Sequence, residues 1–171
     1  DIYQRFTIFP KYVSNPIVNN FYEVQRLSKE CVTTKKHVIV GGKFVDEGIC
    51  DEHTYNEVIK KITSNLNEMD TKCIYIPHRG ETDSHLARLK KNFTFQIIRL
   101  DYPIELLTLE SGIYPLSISH VMSTAVFSMR KIYSDVDIFT SRIPASKILL
   151  RRESIGNIYK EIEREAFTTF L

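Results

Sequence analysis

The sequence predicts an α/β fold built on a doubly wound parallel sheet. Short apolar runs of strand character alternate with segments in which apolar residues recur at helical spacing. The connections between them are short, as in βαβ units, which place helices on both faces of a parallel sheet. The 171 residues are 43% hydrophobic and 26% charged, enough for one domain with a substantial core. We therefore expect a Rossmann-like domain.

Five strands are predicted from apolar runs that are rich in β-branched or aromatic residues and end near turn residues. The first of these runs ends at Gly41-Gly42, and the second ends at Pro77. The strands are expected at residues 37–40, 73–76, 95–100, 116–120 and 136–139.

Five helices are predicted between and after these strands. In the first of them, apolar residues from Tyr55 to Met69 share one helical face, and Asp51 is a suitable N-cap. In the third, Pro103 falls in the first turn, where its missing N–H costs nothing, and Gly112 ends the helix. The helices are expected at residues 52–69, 83–91, 101–110, 123 or 124 to 132, and 153–166.

The first part of the chain lacks this alternation. Residues 1–36 are rich in aromatic residues and asparagine and contain Pro10 and Pro16, so we expect an irregular linker packed on a domain of residues 37–171. The chain begins at Asp1 rather than at a methionine. We interpret this as a sign that the chain is a fragment of a longer protein.

Composition argues against several classes of protein. The net charge of +2 gives no strong electrostatic case for a nucleic-acid partner. The three cysteines, which are odd in number and lack CxxC spacing, predict free thiols in a reducing compartment: Cys31, Cys50 and Cys73. No apolar stretch approaches the roughly 18–20 residues of a membrane span.

The histidines and basic residues outside the strand ends do not point to a particular site. His37, His53 and His85 lack the spacing of metal ligands, so no metal site is predicted. The basic run on the second predicted helix is either a solvated face or a surface for acidic lipid or glycan; it contains Arg88, Lys90 and Lys91.

The strand-to-helix loops carry the residues with chemical potential. In a parallel doubly wound sheet, all of these loops lie at the carboxyl edge, where ligands bind. We therefore expect loops 41–47, 77–81, 101–105 and 120–124 to meet at one site.

His78 follows the second predicted strand after Pro77. An imidazole there can donate to a phosphate or protonate a leaving group, although it can also be a surface histidine. Arg79 either holds an anion or pairs with Glu81.

Other loop residues have similar pairs of interpretations. Ser123 and Thr124 open a helix, whose N-terminus suits a phosphate, but such a pair also serves as a helix cap. Glu105 can accept hydrogen bonds from ribose hydroxyls or complement a helix dipole. Gly41 and Gly42 either let a ligand approach the backbone or form a tight turn.

Two adjacent acids, Asp46 and Glu47, follow the first predicted strand. Either carboxylate can act as a general base, and the alternative is a pair of solvated loop acids.

The order and spacing of these motifs resemble the C-terminal, donor-binding half of bacterial sialyltransferases of the lipooligosaccharide type (glycosyltransferase family 52). Tyr75-Ile76-Pro77-His78 resembles the segment with the family's His-Pro motif, although Arg79 stands where the family usually has proline. Ser123-Thr124 resembles the paired Ser/Thr motif, and Asp46-Glu47-Gly48 resembles the acidic motif. Glu105 lies 27 residues after His78 and 18 before Ser123, where related enzymes have a donor-binding acid.

The resemblance implies that residues 37–171 are the nucleotide-sugar-binding half of a GT-B enzyme. That enzyme would move sialic acid from CMP-sialic acid to a sugar hydroxyl of a surface glycan, lipooligosaccharide or capsule, with inversion and without a required metal or cofactor. Asp46 or Glu47 would be the base, and His78 would bind or protonate the departing CMP phosphate. The residues that would bind the donor are Gly41, Gly42, Pro77, Arg79, Glu105, Ser123 and Thr124.

The implied location is the bacterial cytoplasm, with the inner face of the cytoplasmic membrane as a site of peripheral association. Two alternatives remain at this point: a non-catalytic nucleotide- or phosphate-binding module, and a transferase that uses another nucleotide sugar. The acceptor sugar, the linkage and the oligomeric state do not follow from the sequence.

Overall fold

The computed structural model describes residues 5–7, 16–67, 73–165 and 169–170. Its strands are β1 (Arg5–Thr7), β2 (Pro16–Val18), β3 (Thr34–Val40), β4 (Cys73–Ile76), β5 (Gln96–Ile97), β6 (Ile113–His120), β7 (Asp137–Thr140) and β8 (Thr169–Phe170). Its helices are α1 (Tyr22–Glu30), α2 (Glu52–Asn67), α3 (Asp83–Asn92), α4 (Leu107–Ser111), α5 (Ala125–Ile132) and α6 (Arg152–Glu165). Short 3-10 turns span Ile104–Leu106 and Ala145–Lys147.

Six of the described strands form one parallel sheet in the order β5-β4-β3-β6-β7-β8. The chain winds outward from β3 through β4 and β5, then returns to β6 and winds outward through β7 and β8. This reversal creates a topological switch point between β3 and β6, where open α/β sheets bind their ligands. The fold is therefore the doubly wound, Rossmann-like α/β arrangement that the sequence predicted.

Strand register brings the ends of the central strands level. Val40 pairs with Ile76 of β4 and with His120 of β6, and His120 pairs with Thr140 of β7. The loops that follow β3, β4 and β6 therefore leave the sheet side by side. This alignment positions the candidate site.

Apolar side chains cover both faces of the sheet, because strand residues alternate between the two sides. On one face, Ile39 and Tyr75 pack against α2 and α3. On the other face, Val38 and Ile118 pack against Leu107 of α4 and the apolar side of α5. The helix α6 contributes to both clusters.

The N-terminal part of the chain corrects one expectation. Residues 22–30 form helix α1, which packs against α4 and α5, and β1 pairs with β2, so the linker is not irregular throughout. The sequence signal for α1 was weak, because the backbone at its N-cap, Phe21, is left-handed and Phe21 makes no side-chain capping bond. Residues 1–4 and 8–15 of the predicted linker lie outside the described residues.

Several element boundaries also differ from the prediction. β6 begins at Ile113 and passes through Pro115, which a central strand tolerates because a register shift lies opposite, between Lys36 and His37. β5 is confined to Gln96–Ile97, and the segment predicted as helix 101–110 becomes a 3-10 turn followed by α4. The predicted helix ends at residues 68, 69 and 166 lie outside the described residues.

The three cysteines are free thiols, with Cys50 buried and Cys31 exposed. Among the helices that the structure describes, none combines the length and the apolar character needed to cross a bilayer.

Candidate functional site

Two adjoining cavities lie at the carboxyl edge of the sheet, above the switch point. The first, of about 440 Å³, extends from β4 toward the 3-10 turn at Ile104 and is called the Glu105 cavity. The second, of about 410 Å³, extends from the loop after β3 toward α6 and is called the Glu47 cavity. The residues that line both cavities are Gly41, His78, Ser123 and Thr124. Three of the four predicted loops thus meet at a shared rim.

A larger cavity, of about 860 Å³, lies between α2 and the strands β4 and β5. None of the predicted site residues lines it. The chemistry predicted from the sequence therefore belongs to the two cavities at the switch point.

His78 lies at the rim with its side chain exposed. Its ring Nδ1 accepts a hydrogen bond from the Gly80 N–H at 3.0 Å, so the proton of the neutral ring is on Nε2. Partial desolvation of the ring at the cavity rim, with the positive charges of Lys43 and Arg79, lowers the pKa of His78. At neutral pH the imidazole therefore offers an N–H donor to a ligand at the rim.

Arg79 lines the Glu105 cavity and is exposed. The alternative that it pairs with Glu81 is wrong, because the Glu81 carboxylate is buried and receives its hydrogen bonds from Tyr75 and from the His78 amide. Of the two predicted roles of Arg79, the one that remains is that of a cation that can hold an anionic ligand. Pro77 is buried and forms part of the same cavity wall.

Glu81 is the residue of the site that sequence reasoning did not single out. It is 2% exposed; its Oε1 accepts a hydrogen bond from Tyr75 at 2.6 Å, and its Oε2 accepts one from the His78 N–H at 2.5 Å. Burial raises the pKa of Glu81 to about 7. In the sequence, Glu81 looks like the acidic residue that commonly precedes a helix, here α3. Only its contacts with residues of other elements show that it is buried.

The groups packed beneath Gly41 leave no room for a side chain at this position. A Cβ on Gly41 would overlap the Tyr75 hydroxyl and would lie 2.5 Å from Glu81 Oε2, while a Cβ on Gly42 would overlap the Phe44 ring. Both glycines line the Glu47 cavity, and the packing of the loop itself already excludes a side chain at either position.

This packing predicts opposite effects for two glycine-to-alanine substitutions. We expect Gly41→Ala to destabilise the fold by about 1–3 kcal/mol, the usual cost of overpacking. Gly156→Ala is the matched control, because Gly156 lies inside α6 and a Cβ added there would meet no neighbouring group within 4 Å. Alanine at this position should stabilise the helix by about 0.5–1 kcal/mol. Urea unfolding measures both; equal effects would contradict the packing account.

Ser123 and Thr124 lie at the N-terminus of α5, on the rim of both cavities. Ser123 is held in place: its N–H donates to His120 Nδ1 at 3.2 Å, and its Oγ accepts from the Ala125 N–H at 3.3 Å. Thr124 is exposed and makes no side-chain capping bond. Ser123 thus has a capping role, and the Thr124 hydroxyl is available at the rim.

His120 anchors this turn from below. It is 1% exposed, and its Nε2 lies 2.9 Å from Thr140 Oγ1. Burial lowers the pKa of His120 to about 4, so the ring is neutral at neutral pH. With Nδ1 accepting from Ser123, the Nε2–H donates to Thr140.

Glu105 belongs to the 3-10 turn rather than to the first turn of an α-helix. Its Oε1 accepts a hydrogen bond from Ser128 Oγ at 2.6 Å, which ties the turn to α5. Glu105 is half-buried and lines the cavity named after it, beside Tyr102 and Pro103. This geometry orients a carboxylate toward one end of the site.

The two candidate bases lie in different surroundings. Asp46 holds Thr82, the N-cap residue of α3: its Oδ1 accepts from Thr82 Oγ1 at 2.7 Å and its Oδ2 from the Thr82 N–H at 3.1 Å. Glu47 lines the second cavity and pairs with Lys43 at 2.5 Å and with Arg151 at 3.0 Å. The hydrogen bond from Lys43 is the main cause that lowers the pKa of Glu47. Glu47 can therefore accept a proton only after these cations turn to another anion.

Within the described ranges, no group of three or more His, Cys, Asp and Glu side chains is arranged to hold a metal ion. Neither the protein-family models nor the curated proteins give a match to this chain. The fold and the site together define a Rossmann-like α/β domain with a two-part cavity at its switch point.

Proposed function

We propose that this chain is the donor-binding domain of a sialyltransferase, which moves sialic acid from CMP-sialic acid to a sugar hydroxyl of a bacterial surface glycan with inversion. The observation that carries the proposal is the shared rim. Two cavities of similar size meet at His78, Ser123 and Thr124, as a nucleotide and a sugar joined by one phosphate require. The resemblance to lipooligosaccharide sialyltransferases supplies the choice of sugar and nucleotide.

The donor is proposed to lie across both cavities. Its nucleoside enters the Glu105 cavity, where the Glu105 carboxylate accepts hydrogen bonds from the ribose or the base. Its phosphate lies at the rim, near the N-terminus of α5, the Thr124 hydroxyl and the His78 Nε2–H. Its sugar enters the Glu47 cavity.

The charges of the Glu47 cavity suit a sugar acid. Lys43 and Arg151 both line this cavity, and both pair with Glu47. In the proposed complex, the carboxylate of sialic acid takes these cations as partners, and Glu47 then becomes free to accept the acceptor's proton. Asp46, which accepts from the N-cap residue Thr82, contributes to the position of α3.

His78 assists departure of the nucleotide. Negative charge grows on the phosphate as the bond to the sugar breaks, and the Nε2–H hydrogen bond becomes stronger as it does so. The negative charge of a bound phosphate also raises the pKa of the imidazole, against the effect of Lys43 and Arg79. The ring can therefore be protonated when the donor is bound, and it can give that proton to the departing phosphate. The proposed setting is the bacterial cytoplasm, with the growing glycan at the inner membrane face.

One observation favours a second candidate, a nucleotide-binding module without catalysis. Both carboxylates that can serve as a base are already engaged, Asp46 with Thr82 and Glu47 with Lys43 and Arg151. In such a module, the rim would bind a nucleotide phosphate and no transfer would follow.

Nucleotide titration tests the proposal. We expect CMP to bind to the chain at least about tenfold more tightly than UMP or AMP, a difference of about 1.4 kcal/mol in calorimetry. All three ligands share the ribose and the phosphate, so the comparison isolates the base. Equal affinities would favour the non-catalytic module, and a preference for UMP would favour a transferase that uses another nucleotide sugar.

A further inference from the structure

Glu81 lies where two loops of the site meet. Its Oε2 accepts the His78 N–H at 2.5 Å, and a Cβ at Gly41 would lie 2.5 Å from the same oxygen. Gly41 follows β3, and His78 follows β4. One buried carboxylate therefore contacts both loops beneath the rim that the two cavities share.

The other sides of this carboxylate are also enclosed. Tyr75 donates to Oε1 at 2.6 Å, and the hydroxyl of Tyr55 on α2 lies 2.8 Å from that of Tyr75. His85 of α3 places its Nε2 3.6 Å from Oε1, beyond hydrogen-bond distance, and neither of its buried ring nitrogens has a hydrogen-bond partner among the described residues. Strand, helix and loop thus fix the position of Glu81.

We propose that Glu81 is the positioning residue for His78: it fixes the backbone amide of His78 and so sets where the imidazole lies at the rim. The inference rests on the proposed function, in which that imidazole contacts the donor phosphate. The fixed backbone amide determines the turn that follows, in which the Glu81 N–H donates to the His78 carbonyl at 2.9 Å and the Gly80 N–H donates to the His78 ring at 3.0 Å.

The hydrogen bonds, rather than the charge, are the proposed cause. Burial raises the pKa of Glu81 to about 7, so both protonation states occur near neutrality. The hydrogen bonds from Tyr75 and from the His78 amide oppose this rise, as does Arg99, while Asp46 acts in the same direction as burial. A neutral carboxyl still accepts from the His78 amide through its carbonyl, and its hydroxyl can donate to Tyr75. A glutamine has the same pattern of one acceptor and one donor group, so it should replace Glu81.

Three variants of the full chain separate the possibilities. Glu81→Gln keeps the length, Glu81→Asp keeps the charge but is one methylene shorter, and Tyr55→Phe is the control that removes a buried hydroxyl without touching Glu81. NMR follows the imidazole titration of His78 and the Gly80 amide signal, and calorimetry gives CMP affinity. We expect Glu81→Gln to match the wild type within about twofold. Glu81→Asp should return the pKa of His78 toward its ordinary value and weaken CMP binding about tenfold, the effect of losing one oriented hydrogen bond.

Tyr55→Phe should lower stability while the His78 signals and CMP affinity stay at wild-type values. A wild-type His78 titration in Glu81→Asp would overturn the proposal, as would an equal change in Tyr55→Phe. If CMP affinity or the His78 titration changes in Glu81→Gln but not in Glu81→Asp, the charge of Glu81 matters rather than its position. That result would also overturn the proposal. The His78 titration needs no nucleotide, so it decides the role of Glu81 even if the wild-type chain fails to bind CMP and the proposed function falls.

Discussion

Replacing His78 with alanine is expected to weaken CMP binding about tenfold to a hundredfold, because one charge-assisted hydrogen bond is worth about 1.5–3 kcal/mol. Under the proposed function, sialyl transfer should fall by about 10²–10⁴-fold, the usual contribution of a general acid. The reason is geometric: His78 lies on the rim of both cavities, and its Nδ1 is occupied by the Gly80 amide, so Nε2 is the ring nitrogen left to contact a ligand. Calorimetry with CMP and a donor-turnover assay measure the two effects.

The control for this substitution is His53→Ala. His53 is exposed on α2 and lines neither cavity, so its loss removes the same side chain outside the proposed site. We expect wild-type CMP affinity from this variant. If His78→Ala also binds CMP normally, His78 is a surface histidine and the proposed site loses its central residue.

The fold was predictable because its signals are local. The face of α2 that contains Tyr55, Ile59 and Ile62 lies in one core cluster, and Asp51 accepts from the Thr54 N–H at 2.7 Å as an N-cap should. Parallel topology then forces the loops after β3, β4 and β6 to one edge, whatever their sequences are. For this reason His78 and Ser123 could be placed together from the order of the elements alone.

The residues that the sequence did not explain depend on contacts between distant parts of the chain. Asp46 bonds to Thr82, 36 residues away, and no local pattern distinguishes that carboxylate from its neighbour Glu47. The enclosure of Glu81 depends on Tyr75, which donates to it, and on the approach of Gly41. Periodicity identifies which face of an element is apolar, but it does not reveal which polar groups are enclosed when elements pack.

Glu81 also gives the stability of the chain a pH dependence. We expect the free energy of unfolding of the wild type, relative to Glu81→Gln, to fall by about 3 kcal/mol as the pH rises from below 4.5 to above 7. Burial raises the pKa of Glu81 from 4.5 in the unfolded chain to about 7 in the folded one. Between these values the folded state holds a proton that the unfolded state has lost, so deprotonation costs the folded state free energy and stability decreases with pH.

His85, which lies beside Glu81, affects the pH dependence of stability in the opposite direction. Burial lowers the pKa of His85 below its ordinary value of 6.5. At a pH below 6.5, unfolding therefore takes up a proton on His85, and the contribution of His85 to stability rises as the pH increases toward 6.5. The difference between the urea-unfolding free energies of the wild type and Glu81→Gln at each pH therefore reports the titration of Glu81 together with its coupling to the neighbouring His85. A difference that stays constant from pH 4 to pH 8 would mean that the pKa of Glu81 is the same in the folded and the unfolded chain, and would contradict this prediction. A decline centred between pH 4.5 and 7 would mean that the carboxyl beneath the rim is neutral and hydrogen-bonded at acidic pH, as its burial requires.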